Sequence, residues 1–351
     1  MISGRIYRNP VLKSIFGAIK RTMASTTSAA SESEIAQQIK TGEDPNTEDD
    51  MKDDAADKLK STLVDTVLTL EKLDVNLYRA AQMWSAFRTK NLFGGQIVGQ
   101  ALVAAGKTVN PKLNVHSLHS YFINHGNPDK PVLYRVENIR DGKSFSSRSV
   151  QATQEGKPVF IMNASFHIHE ESPFQHQFPM PNVPDPEKLP SDRDLLESFI
   201  KIPDTPPKYR EKAERLLARE IPFEHRRVDG FRSFHIGQIP TEPRLLTWVR
   251  ALGHIGEGNK QMHACVAAYL SDLELCMTST LPNRDIGLGF VTSLDHSMWF
   301  HAPFRSDEWM LYQCESPFAG NSRGMNFGRL WRKDGTLAVS VAQECLIRPK
   351  L

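Results

Sequence analysis

The sequence predicts an α+β protein in which one domain plan is used twice. Three observations carry this reading. An apolar helix pattern opens each half, "GGQIVGQALVAAGK" (94–107) and "HACVAAYLSDLEL" (263–275). Four strand patterns follow each helix, and the turns "QEGK" (154–157) and "KDGT" (333–336) bring the last strands of the two sets into correspondence. Between the halves, nine prolines fall within residues 171–210. Both helices are apolar around most of their circumference, which suits a helix wrapped by a sheet better than one lying on a surface. The period is too long for a solenoid, and one helix followed by an antiparallel meander is an α+β layer pair.

The elements take their places in order. The first 31 residues carry Arg5, Arg8, Lys13, Lys20 and Arg21 and no acidic side chain before Glu32. That is the composition of a mitochondrial transit peptide, with an unstructured basic tail as the alternative. Residues 32–60 hold ten Asp or Glu against four Lys, so 1–60 is expected to be a disordered extension, with the fold beginning near Leu63. Residues 61–170 form the first repeat, with strands expected at "LHSYFI", "PVLYRVENIRDGK", "SFSSRSVQATQEGK" and "PVFIMNASFHI". Residues 171–225 read as a linker whose prolines exclude sustained helix or sheet, apart from a short helix at "KYREKAERLLARE" (208–220). Residues 226–351 form the second repeat, with strands at "LDHSMWFH", "EWMLYQCES", "GMNFGRLWRKDG" and "TLAVSVAQECLI".

Composition excludes several function classes. At 351 residues and 40% hydrophobic, the chain can build two cores of ordinary size. Its 43 basic and 41 acidic side chains leave a net charge of +2, which offers neither nucleic acid nor a membrane surface an attractive field. The longest apolar runs, such as "ACVAAYL" (264–270), fall far short of the roughly 20 residues that cross a bilayer. Cys265, Cys276, Cys314 and Cys345 show no C-x-x-C spacing, so no metal site is expected and a reduced compartment is the simpler reading.

Candidate chemistry emerges from comparing the halves. Alternation puts Phe160, Met162, Ala164, Phe166 and Ile168 on one face of the first repeat's last strand, and Val339, Val341, Gln343, Cys345 and Ile347 on that of the second. One amide replaces one alanine in an apolar row. A buried amide without partners costs about 1–3 kcal/mol, so Gln343 is expected to bond to something specific, whether a neighbouring backbone group or a site. Asp272 falls in the last turns of the second helix, where the helix C-terminus disfavours a carboxylate, and it aligns with Ala104. Such an Asp either faces water or is held for a purpose; buried beside Gln343 it would have a raised pKa and could act as a general base.

Two other motifs imitate serine hydrolases. "GNSRG" (320–324) matches the G-x-S-x-G elbow, but no histidine follows Ser322 and the next pattern, "GMNFGRLW", is a strand where an elbow needs a helix. Asp295, His296 and Ser297 spell a triad, yet neighbours on a strand point to opposite faces, which turns His296 away from both.

The segments "LFGGQIVGQAL" (92–102), "HSLHSYF" (116–122), "RDGKSFSSRSVQATQEGKPVF" (140–160), "SLDHSMWFHAPF" (293–304) and "DGTLAVSVAQECLIRP" (334–349) resemble the acyl-CoA thioesterase II family over roughly residues 63–349. The resemblance implies a double HotDog, two tandem helix-wrapped antiparallel sheets, and hydrolysis of medium- to long-chain fatty acyl-CoA thioesters with no cofactor. Its catalytic set falls on Asp272, Ser293 and Gln343, which would position a water for attack, with Ser where Thr is common. Backbone N–H groups at a helix N-terminus, near Gly94 and Gly95 or near His263, are the candidates for the oxyanion, and His119 (or His116) for substrate binding. HotDog sheets that continue across subunits imply a homo-oligomer. A non-catalytic acyl-CoA-binding protein on the same fold is the alternative. The final "PKL" departs at one position from the Ser-Lys-Leu address, so the peroxisome matrix, reached through its import receptor, is the expected location, with the mitochondrion as alternative. Met23 offers a second start that would remove the basic segment.

Overall fold

The computed structural model describes residues 61–81, 83, 91–203, 205–219, 221–230 and 240–350. The expectations for 1–60 and for Leu351 of the C-terminal tripeptide lie outside these residues. The strands are β1 (Glu71–Asp74), β2 (Leu77–Ala80), β3 (Asn114–Phe122), β4 (Val132–Asp141), β5 (Phe145–Gln154), β6 (Lys157–His167), β7 (Phe223–Arg227), β8 (Arg244–Ala251), β9 (Leu288–Ser293), β10 (Asp295–Phe300), β11 (Met310–Gly320), β12 (Arg323–Arg332) and β13 (Leu337–Pro349). The helices are α1 (Gly94–Gly106), α2 (Asp192–Ile200), α3 (Pro207–Leu217), α4 (Lys260–Ser271) and the single turn α5 (Leu275–Thr278).

All eight strands expected from the repeat are present; β1, β2, β7, β8 and β9 are additional. Of these, β1, β2, β7 and β9 span only four to six residues, too few to display a period, and β8 is largely buried on both faces, so its sequence lacks the apolar–polar alternation that betrays a strand. The two half-sheets meet edge to edge through β3 and β10, where Ser297 lies opposite His119 and Met298 opposite Leu118. The result is one continuous antiparallel sheet of 13 strands among the described residues. Edge-to-edge joining satisfies the two backbone edges that separate sheets would leave open.

The sheet curves around α1 and α4, which pack against each other antiparallel. Ideal side-chain carbons placed on Gly95, Gly99 and Gly106 would meet Tyr269, Cys265 and Gln261 respectively, so the start of one helix lies beside the end of the other. A single apolar cluster spans both halves, with Val98, Ala101 and Leu102 of α1 and Cys265, Val266 and Ala268 of α4 among its buried members.

Two expectations are corrected. The second helix was expected over 263–275, but α4 starts earlier, capped by the Asn259 side chain, and stops at Ser271 with Asp272 as its C-cap. A carboxylate fits poorly inside the last turn, and here the chain turns off as soon as it is reached. The proline-rich linker does hold helix: α2 runs for nine residues because Pro190 and Pro203 flank it without interrupting it. Ser191 accepts from the Asp194 N–H at 3.1 Å and its own N–H donates to Asp194 Oδ2 at 3.0 Å, a reciprocal cap that starts α2. Leu195, Leu196 and Phe199 of α2 then pack on Ala213 of α3. The linker is tied to the second repeat by buried charge. Arg227 on β7 bonds both Asp192 of α2 and Glu274, two residues beyond Asp272, and Thr247 donates to Glu274 at 2.9 Å.

Gly95 is required by close approach of the helices: a methyl group there would collide with the Tyr269 carbonyl and the Phe93 ring. Gly95→Ala is expected to destabilise the fold by about 1–3 kcal/mol, read as a lower midpoint in urea, because backbone cannot move aside as a flexible side chain can.

Candidate active site

The antiparallel packing brings the N-terminus of α1, from the first repeat, to the C-terminus of α4, from the second. Asp272 sits at this junction. The Gly95 N–H donates to its Oδ2 at 2.8 Å, while Gln343 Nε2 donates to its Oδ1 at 2.6 Å and Ser293 Oγ does so at 3.3 Å. Gln343 Nε2 also donates to Ser293 Oγ at 2.9 Å. Three side chains from a helix end, a strand end and a strand centre therefore form one closed set.

Each position has a local cause. Gln343 lies mid-strand on β13 with its backbone paired to Asn326 of β12, and the strand's alternation turns it inward. Ser293 ends β9, opposite Cys345; the β9–β10 boundary at Leu294 lets both strands pair with the long β13. Asp272 is presented by the stop of α4. Position 94 must be glycine for the same reason: a Cβ there would stand 2.7 Å from Asp272 Oδ2.

Burial pushes Asp272 up to about 6, against the pull of hydrogen bonds from Gln343, Gly95 and Ser293. The positive end of α1 works in the same direction as those bonds. The outcome is a carboxylate that is largely ionised at neutral pH and poised near it. The two tyrosines close by stay uncharged there: burial raises Tyr269, and burial raises Tyr312. Hydrogen bonding with Cys345, followed by burial, raises Cys276. Cys345, two residues past Gln343, is lowered to about 7, first by its bond with Cys276.

The structure thus brings together Asp272, Ser293, Gln343, Gly94 and Gly95. It places the other two candidates elsewhere. His119 is exposed on the outer face of β3, bonded through Nδ1 to Ser297 Oγ at 3.2 Å and edge-on to Trp299, with the sheet between it and Asp272. His116 is likewise outward, 2.8 Å from Ser165 Oγ. His263 is in the first turn of α4, nine residues before Asp272 and so about 13.5 Å from it along the helix axis. Its ring bonds the Gly256 carbonyl and the Ser306 N–H, which makes it part of the N-terminal packing of α4. Gly95 is present but its N–H is taken by Asp272, so in this arrangement it holds the carboxylate.

Both hydrolase look-alikes dissolve. Asn321 and Ser322 have φ of 51° and 58° and form the two-residue turn between β11 and β12, with Gly320 opposite Arg323. His296 points inward, fully buried, while Asp295 and Ser297 point outward. Sequence reasoning used that parity only to dismiss the trio. The same parity puts His296 on the face that carries Gln343, a signal it left unused, and the structure shows Ser271 Oγ 2.9 Å from His296 Nε2.

A sheet wrapped about paired helices in two tandem repeats defines a double HotDog, and the buried carboxylate with two polar side chains fixed around it is its candidate site. Residues 80–167 match the family described as the acyl-CoA thioesterase N-terminal domain, and residues 186–347 the acyl-CoA thioesterase C-terminal domain. Acyl-coenzyme A thioesterase 8 of Rattus norvegicus is 52% identical over 85% of this chain and 92% of its own. The crystal structure of an acyl-CoA thioesterase II from Mycobacterium marinum superposes with a TM-score of 0.64 at 33% identity, covering 82% of this chain and 98% of that one. The peroxisomal acyl-coenzyme A thioester hydrolase 1 of Saccharomyces cerevisiae is 23% identical, over 83% of this chain and 95% of its own. The chain belongs to the acyl-CoA thioesterase family, and it is a thioester hydrolase.

With Asp272 as the general base proposed below, the acid limb of kcat/KM is expected near pH 6, falling tenfold per unit below it, because only the ionised carboxylate accepts a proton. A rate profile between pH 4 and pH 8 checks this. The linked effect on stability has the opposite sense. A folded-state value raised above the usual 3.8 favours the fold below about pH 4, and that contribution is lost as the pH rises through about 6.

Proposed function

We propose that Asp272, Ser293 and Gln343 position a water that hydrolyses medium- to long-chain fatty acyl-CoA, as a step in fatty acid metabolism. The observation that carries this reading is the closed hydrogen-bonded set of the three side chains about a carboxylate raised to about 6. Asp272 takes a proton from water, the oxygen attacks the thioester carbonyl carbon, and collapse of the tetrahedral intermediate breaks the C–S bond. The proton passes to the departing sulfur, giving free acid and CoA thiol. Ser293 and Gln343 serve by orientation: their bonds fix the Asp272 carboxylate and each other, and the remaining lone pair of Ser293 Oγ can accept the water's second hydrogen. N–H groups in the first turn of α1, Gly94 first among them, are our assignment for the oxyanion, since this helix end already stabilises negative charge at Asp272. Phe93, which precedes α1, and Phe122, which ends β3, supply apolar surface beside the carboxylate, in keeping with a fatty acyl tail.

Asp272→Asn is expected to lower kcat/KM for palmitoyl-CoA by about 10²- to 10⁴-fold, measured as release of CoA thiol, with the fold intact. A variant as fast as wild type would sink the mechanism. A series of acyl-CoA substrates of increasing chain length tests the substrate class.

We further propose that the C-terminal Pro-Lys-Leu directs the protein to the peroxisome, as the name of the yeast relative suggests for that protein. In cells, removing the last three residues is expected to disperse the protein into the cytosol, and removing the first 22 to leave it in place. The reverse pattern would assign targeting to the basic N-terminus.

A further inference from the structure

Gln343 can serve the site in only one of its two amide orientations. With Nε2 toward Asp272 and Ser293 it donates two hydrogen bonds. Turned over, its carbonyl oxygen would face the carboxylate oxygen at 2.6 Å. Something must choose between these. The backbone does not, because the pairing of Gln343 with Asn326 on β12 and the bond from Asn326 Nδ2 to the Gln343 carbonyl leave the side-chain amide free to rotate.

The strand on the other side supplies the choice. In the β10–β13 register Ser297 is opposite Ala342, so His296 stands opposite Gln343 one step further along. Cross-strand neighbours on one face have Cβ atoms about 5 Å apart, within reach of an imidazole and an amide. Both side chains are fully buried. His296 Nδ1 and Gln343 Oε1 are both buried on this face without a hydrogen-bond partner among the described residues. With Nε2 spent on Asp272 and Ser293, the free end of the amide is Oε1, and the Gln343 side chain favours the protonated ring as an accepting carbonyl would.

We propose that His296, held in its Nδ1–H form by Ser271, is a positioning residue that locks the Gln343 amide with its nitrogen toward Asp272 and Ser293. The inference rests on the water-activating role of those two residues. Burial lowers His296 to about 4, so the ring is neutral and carries one proton. Ser271 Oγ has two strong acceptors in reach, Ala268 O at 3.0 Å and His296 Nε2 at 2.9 Å, and a weak one in Met298 Sδ at 3.5 Å. Donation to the ring leaves the ring proton on Nδ1, facing Gln343 Oε1. Donation to Ala268 would put that proton on Nε2 and set two lone pairs against each other. Tautomer and amide orientation are therefore one coupled choice, running from Ser271 through His296 to Gln343. Ser271 immediately precedes Asp272, so the chain that presents the carboxylate also anchors the far end of the relay.

The test compares His296→Leu, which removes the donor, with His296→Asn, whose side-chain N–H stands near the place of Nδ1. With palmitoyl-CoA, His296→Leu is expected to lower kcat about 10- to 100-fold with KM changed little, since a misdirected amide misplaces water more than it weakens substrate binding. Its acid limb in kcat/KM is expected above that of wild type, because a carbonyl in place of a donor disfavours the ionised Asp272. His296→Asn is expected to recover most of the rate and return the limb toward about 6. A folded His296→Leu with wild-type kcat and limb overturns the proposal. So does an equal loss in both variants with no change of limb, which would mark His296 as packing alone. Should His296→Leu not fold, Ser271→Ala, which frees the tautomer, decides by the same limb. Asp272→Asn measured alongside separates the two readings: an active Asp272→Asn removes the water-base mechanism itself, whereas an inactive one beside an unaffected His296→Leu removes only this inference.

Discussion

The structure depends on the stabilisation of one buried carboxylate. Asp272 closes a helix at the end where a negative charge is least welcome, and it is removed from solvent as well. Three donors compensate: an N–H from the opposite end of the partner helix, and two side chains from the second repeat's strands. Removing water from a carboxylate raises its pKa and hydrogen bonds lower it; the balance struck here leaves a base of useful strength near neutral pH. The placement of α1, α4, β9 and β13 follows from holding those donors together.

Antiparallel packing of α1 and α4 is what makes this possible. A helix pair aligned head to tail sets the positive end of one beside the negative end of the other at both ends of the pair. At one end the junction carries Asp272 and the glycines of α1. At the other, His263, Ser306 and Asp307 form a self-satisfied polar cluster. The duplication therefore builds two geometrically related corners, and the chain equips one with the polar trio while its counterpart on β6 keeps Ala164 in place of Gln343. The small residues of α1 allow the helices close enough for a backbone N–H to reach across.

The linker has a structural part in this arrangement. Asp192, Arg227 and Glu274 share buried ionic bonds, and Glu274 lies in the turn that carries the chain away from Asp272. Breaking such a network by removing one partner leaves a charge buried without compensation, which costs more than the intact network contributes. The turn after α4 is thereby tied, through Arg227, to the linker helix α2.

Much of this was legible in the sequence because periodicity records which face is buried. The eight repeat strands, the two apolar helices and the isolated polarity of Gln343 and Asp272 all follow from the alternation of side chains and the alignment of "QEGK" with "KDGT". Ser293 came only through family resemblance, since nothing in its own surroundings marks it. The short strands β1, β2, β7 and β9 were not legible, because four to six residues, mostly polar in β1 and β7, are too few to establish a period. The helix α2 was hidden by proline count, although its capping residues Ser191 and Asp194 were in view. What only the tertiary structure decided is contact between residues far apart in the chain: the reach of Gly95 to Asp272 across 177 positions, the placement of His119 and His263 away from Asp272, and the approach of His296 to Ser271. Local pattern determines which way a side chain faces; what it meets there depends on the packing of the two halves.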